Sequence, residues 1–126
     1  MTGEGSGLIF EELEGELEKN PRRGPEILRE RLGFQERLRL HAALTHDTRL
    51  DILRILAEKA PLSFSQLRKA FQLNPNTLAY HLRVLEETRL VAAEFEKERG
   101  KREFSNYQPT ELGHLMLKID DYTKWL

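Results

Sequence analysis

The chain has no cysteine. That excludes disulfides, thiolate metal centres and thiol-based redox sensing together. It also has no charge of one sign to spare: 20 Lys and Arg stand against 21 Asp and Glu, a formal net charge of −1. Without a global basic field, contact with a polyanion has to come from local patches. No apolar run reaches the ~20 residues of a membrane-spanning helix. The N-terminus also lacks a basic stretch leading into a signal-peptide core. A soluble, cytoplasmic protein is expected, with no membrane partner. Missing too are a phosphate-binding glycine loop, a nucleophile elbow and paired carboxylates in a cleft, so no enzyme is expected. At 126 residues the chain has material for one modest core.

What is present is concentrated in Asn74 to Val91, NPNTLAYHLRVLEETRLV. Asn74 is a strong N-cap residue, since its side-chain oxygen accepts from free first-turn donors. Pro75 follows at the first helical position, where its missing N–H costs nothing. Leu78, Leu82 and Leu85 recur at four and three residues and share one face. Asn76, Tyr80, Arg83 and Glu87 share the opposite one. Periodicity alone establishes only an amphipathic helix; the flanks say more.

Upstream, Ser65 to Phe71 has a shorter helical pattern, joined by Gln72-Leu73-Asn74, a connection of helix-turn-helix length. Downstream the period changes from helical to alternating. Val91, Ala93 and Phe95 interleave with Ala92, Glu94 and Glu96, the pattern of a half-buried strand. Lys97 to Arg102 is a charged turn with four basic residues and one glutamate, and Glu103 to Gln108 returns as a second strand. Helix, turn, helix and a hairpin with a basic tip predict a winged helix-turn-helix. The fold class is mainly α with a small β-hairpin wing.

The run from Leu44 to Gly113 resembles the winged-helix domain of ArsR-type and MarR-type transcriptional regulators. The pieces that carry the resemblance are THDTRLDILRIL, LSFSQLRKAFQLNPNTLAYHLRVLEETRLV, KERGKREF and NYQPTELG, in that order. Arg89 departs from the pattern, standing where relatives usually carry a glycine that ends the recognition helix. The resemblance implies a homodimeric regulator of transcription, a repressor by expectation, with the 74–88 helix in the major groove of double-stranded DNA. Asn76 and Thr77 stand at the helix start that enters the groove. Asn76 can pair with an adenine edge and Thr77 with a base or phosphate. Ala79 allows approach to a thymine methyl, Tyr80 reaches a phosphate or sugar, and Arg83 reaches guanine or phosphate. A competing ion pair of Arg83 with Glu87 is worth only ~0.3–0.5 kcal/mol. Lys97, Arg99, Lys101 and Arg102 in the wing suit phosphates or the minor groove, with Arg68 and Lys69 as secondary phosphate candidates. A winged helix can alternatively serve as a protein-contact module in a larger assembly. Such a module would show apolar residues where this helix shows Asn76, Tyr80, Arg83 and Glu87.

Three segments are read along the chain. Residues 1–24 form an acidic extension with a short amphipathic helix, 25–109 the winged domain, and 110–126 a C-terminal dimerisation helix. The first 20 residues hold six glutamates and one lysine, and Ile9, Phe10, Leu13 and Leu17 make its stripe. Pro25 opens a further helix towards Leu44, with Ile27, Leu28, Leu32, Phe34, Leu38 and Ala42 apolar and Gly33 as a kink or break. In the last segment Thr110 is a cap, and Leu112, Leu115, Ile119, Tyr122 and Leu126 form a seam too short to stand alone. Leu38, Trp125 and that seam are therefore the predicted dimer interface. His81 is read as a packing residue beside the leucine face. His41 with His46, and His114 with Asp120 or Asp121, do not make a persuasive ligand set. No metal or cofactor is expected.

Overall fold

The computed structural model describes residues 9–97 and 103–123, apart from the side chains of 96, 97, 103, 104 and 121–123. Seven helices run α1 (Phe10–Lys19), α2 (Gly24–Arg31), α3 (Phe34–Leu44), α4 (Asp47–Lys59), α5 (Phe64–Phe71), α6 (Pro75–Glu87) and α7 (Glu111–Thr123). Three short strands complete them: β1 (Leu62–Ser63), β2 (Val91–Lys97) and β3 (Glu103–Pro109). The sheet is antiparallel in the order β1-β3-β2, with Leu62 opposite Tyr107 and Val91 opposite Pro109. The architecture is a mainly helical winged helix-turn-helix.

Capping explains most of the boundaries. Ser63 accepts from the Gln66 N–H at 3.1 Å while Gln66 Oε1 accepts from the Ser63 N–H at 2.8 Å, a reciprocal box that starts α5. Asn74 accepts from the Asn76 N–H at 2.8 Å and starts α6 one residue before its proline. Thr110 accepts from the Gly113 N–H at 3.0 Å and starts α7. Gly33 breaks the segment between Pro25 and Leu44 into α2 and α3, and the Glu36 carboxylate accepts from its N–H at 3.4 Å.

One core unites all three sequence segments. Leu13 and Leu17 from α1, Ile27 and Leu28 from α2, Ile52, Leu53 and Leu56 from α4, and Leu78, Leu82 and Leu85 from α6 belong to it. Each leucine taken from water contributes ~1.5–3 kcal/mol, so this shared cluster outweighs any surface contact. Arg23, just before α2, bridges Glu16 at 2.8 Å and Glu30 at 2.9 Å, tying α1 to α2 at the surface. Lys118 joins α7 to Glu14 of α1 at 3.3 Å, and Arg54 of α4 pairs with Asp120 of α7.

Two expectations need correction. The seam of α7 is not an outward face: Leu115 and Ile119 are buried within this one chain and Leu112 is half-buried against the core. α1 and α2 pack on α7 and cover the seam that a partner helix was expected to cover. Of the remaining interface candidates, the Tyr122 side chain, Trp125 and Leu126 lie outside the described residues. α3 leaves the interface candidate Leu38 at the surface. It buries Leu40 and Ala43, whereas Phe34 is 62% and Leu38 47% exposed. The helix rolls so that its 34–38–42 stripe faces outwards. The second correction is that the alternating strand is covered only at its base. Val91 is buried, whereas Ala93 is exposed and Phe95 is 64% exposed.

α6 ends in a left-handed turn made without glycine. Arg89 has φ 63°, its N–H bonds to the Glu86 carbonyl at 3.0 Å, and the Leu90 N–H bonds to the Leu85 carbonyl at 2.9 Å. This is the Schellman pattern, completed by apolar contact between the fully buried Leu85 and Leu90. The Leu90 carbonyl then accepts from the Thr110 N–H at 3.1 Å. Gly113 explains itself at the same point. A Cβ there would lie 2.3 Å from the Leu90 carbonyl oxygen, so α7 approaches this turn more closely than any side chain permits.

Candidate nucleic-acid interface

α6 is divided lengthwise by burial. Leu78, Leu82 and Leu85 are sealed in the core, whereas Asn76, Thr77, Ala79, Tyr80, Arg83 and Glu87 are exposed. Asn76 and Thr77 occupy the first turn, at the positive end of the helix dipole. Tyr80 sits one turn further on and is 51% exposed. Among the described residues no ion pair holds Arg83; its guanidinium carbon lies 5.9 Å from the Tyr80 ring centroid. A second guanidinium, that of Arg49, lies 5.8 Å from the same ring. Attraction between cation and ring face is worth ~0.5–1 kcal/mol at exposed sites, enough to bias side-chain pose but not to lock it.

Arg68 and Lys69 are exposed on α5. With Ser65, Gln72 and Leu73 they line an open groove beside the turn that leads into α6. Gln72 makes that turn in a left-handed conformation, φ 52°. Lys97 ends β2, but its side chain and all of Arg99, Lys101 and Arg102 lie outside the described residues. The pairing of β2 with β3 extends to Lys97 opposite Glu103.

Residues 44–93 match the family model described as a helix-turn-helix domain. Among solved structures the chain is similar to the transcriptional regulator homologue from Pyrococcus horikoshii OT3, with 28% identity and a TM-score of 0.55 over 66% of this chain and 79% of that one. It is similar to the ArsR-like transcriptional regulator from Rhodococcus sp. RHA1, at 25% identity and a TM-score of 0.54 over 73% and 84% of the two chains. MarR shares the fold at 20% identity and a TM-score of 0.50, over 90% of this chain and 77% of that one. No curated protein matches the chain. The chain carries a helix-turn-helix domain over residues 44–93, in a winged fold similar to that of ArsR-like and MarR regulators.

Within this winged helix-turn-helix domain, a buried polar cluster escaped the sequence reading. Arg49, only 8% exposed, donates through Nε to the Ala43 carbonyl at 2.8 Å and through NH2 to the Ala42 carbonyl at 3.2 Å. Its NH1 lies 3.3 Å from Nδ1 of His81, itself 4% exposed. The His46 ring packs 4.5 Å from the His81 ring, and His46 Nδ1 accepts from the Thr48 N–H at 3.3 Å to cap α4. A guanidinium has no acceptor, so His81 Nδ1 has to accept and the ring is neutral with its proton on Nε2. Burial first, then the neighbouring His46 and Arg49, push the His81 pKa below its ordinary value. The signal for Arg49 was present in the sequence. It precedes Ile52, Leu53 and Leu56 by three, four and seven residues, which puts it on the apolar face of α4.

The other histidines are scattered. His41 is exposed on α3 and His114 on α7. Among the described residues no group of three or more His, Asp or Glu side chains gathers as a metal site.

Proposed function

We propose that the chain is a sequence-specific DNA-binding regulator of transcription that acts as a homodimer and represses by occluding its promoter. α6 enters the major groove with Asn76, Thr77, Ala79, Tyr80 and Arg83 towards the bases and backbone. Arg68 and Lys69 flank it on phosphates, and Lys97, Arg99, Lys101 and Arg102 reach the backbone or minor groove from the wing. The observation that carries this reading is the division of α6 into a sealed leucine face and an exposed polar face whose arginine has no ion pair among the described residues. An apolar outer face would instead have favoured a protein-contact module.

The second copy docks through the predicted interface residue Leu38 and its neighbour Phe34, an exposed apolar pair one turn apart on α3. A two-fold dimer would set two recognition helices ~34 Å apart, one turn of the duplex. Near-zero net charge makes the second copy matter, because each copy alone offers few phosphate contacts.

Fluorescence anisotropy with labelled duplex from the region upstream of its own gene tests the reading. Binding should weaken with salt, and Arg83→Ala should lower the slope of log K against log salt by about 0.9, one phosphate contact. Absence of binding by the intact protein even at low salt sinks the proposal and leaves protein contact as the function. Sedimentation at micromolar concentration should report a dimer, and Leu38→Glu should shift it towards monomer.

A further inference from the structure

The cluster around Arg49 lies directly behind the proposed reading face, and its geometry assigns it a task there. This inference rests on the DNA-binding reading above. The Arg49 fork bonds the last carbonyls of α3, the start of α4 carries it, and His81 of α6 meets its remaining edge. Three helices therefore meet on one planar cation. Its flank faces the ring of Tyr80, which Arg83 faces as well. Tyr80 and Arg83 are two of the groups expected to touch DNA, and neither has a hydrogen bond of its own to fix its pose among those described.

We propose that Arg49 is a positioning residue for the reading face: it ties α6 to the end of α3 through His81 Nδ1 and thereby holds Tyr80 and Arg83 ready for DNA. Arg49 itself touches no DNA, since it is buried and its donors are directed at Ala42, Ala43 and His81. The tie holds only while His81 Nδ1 accepts. A proton on that nitrogen turns an acceptor into a second donor beside a fixed cation, and the contact is lost.

This gives the proposal a sign. The charged and titratable groups around the His81 ring are His46 and Arg49 from the start of α4, with Tyr80 beside it on α6. The end of α3 contributes only carbonyl oxygens to Arg49. No carboxylate among these groups rewards protonation of the ring. Loss of the Arg49 tie weakens binding in acid.

The test compares the intact protein with Arg49→Met, Arg49→Lys and His81→Asn, using anisotropy on the labelled upstream duplex from about pH 7.5 to about pH 5.5, across the ordinary histidine range. Circular dichroism at each pH confirms that each variant is folded. Arg49→Met should bind roughly ten-fold more weakly at the upper pH, the size of one lost charge-assisted contact. Its salt slope should equal that of the intact protein, because no phosphate contact is removed. Arg49→Lys keeps the charge but not the fork and should remain weaker than the intact protein. The intact protein should lose affinity on acidification, whereas His81→Asn, which offers an acceptor that cannot titrate, should not. Unchanged affinity and pH profile in Arg49→Met, a salt slope lowered by about 0.9, or full rescue by lysine each overturns the positioning role. If Arg49→Met does not fold, identical pH profiles for His81→Asn and the intact protein overturn it instead. Failure of the intact protein to bind at all overturns the DNA-binding reading, and this inference with it.

Discussion

Replacing Arg89 with glycine should stabilise the protein. Arg89 adopts φ 63° at the end of α6, and its side chain is exposed, so the substitution removes no buried surface. A left-handed backbone costs a residue with a Cβ ~1–2 kcal/mol that glycine does not incur. Glycine loses more chain entropy on folding, which takes back ~0.5–1 kcal/mol. The two Schellman hydrogen bonds come from backbone N–H groups and survive the change. A net gain of about 0.7 kcal/mol remains, the difference between those two costs. With an unfolding entropy of ~2.1 cal/mol/K per residue over the whole chain, that raises Tm by about 3 °C. Thermal and urea melts followed by circular dichroism measure it, with Arg89→Val as the contrast, since a β-branched residue tolerates positive φ least. A lower Tm for Arg89→Gly, or a valine variant as stable as the natural chain, would refute the strain argument.

Gly113→Ala should destabilise by roughly 3 kcal/mol, the upper end of the overpacking range, because the new methyl meets the Leu90 carbonyl and not a flexible side chain; denaturant melts report it. Asn74→Ala removes the cap of α6 and should cost about 1 kcal/mol, with Asn74→Ser largely restoring it. His81 makes folding pH-dependent. Its folded pKa is depressed, so the unfolded chain takes the proton first as pH falls through about 6.5. Stability is therefore full above that value and lost progressively below it, and a Tm–pH profile that is no flatter in His81→Asn would contradict this.

The helix-turn-helix was legible because local rules and the global fold agree over it. Asn74-Pro75 marks a helix start by capping chemistry, and Leu78, Leu82 and Leu85 point to the core by spacing alone, whereas the start of α5 at Phe64, capped by Ser63 with Gln66, lies just ahead of the Ser65 to Phe71 pattern. Outside that stretch, periodicity identified apolar stripes without saying what covers them. Leu115 and Ile119 read as a seam for another helix, and they are one, but the helices that meet them are α1 and α2 of the same chain. Phe34 and Leu38 were legible only as apolar positions of the 25–44 segment, Leu38 with a place in the expected dimer interface, and both face outwards. A stripe fixes which residues want burial, whereas the roll of the helix depends on its neighbours. The two-residue strand Leu62–Ser63 is too short to give an alternating signal. Arg49 was missed for a different reason. A buried cation is noticed only when its charge is weighed against the apolar face it sits on, and the carbonyls that satisfy it come from the main chain of α3. Of the candidate contacts, the exposed face of α6 was readable in advance, since a helix that buries one side shows the other.

The backbone of Leu90 serves three elements at once. Its N–H closes the end of α6, its carbonyl receives Thr110 at the start of α7, and its own chain continues directly into β2. A change that disturbs this one turn is therefore expected to reach α6, the hairpin and α7 together, so that damage beside Leu90 spreads further than its size suggests.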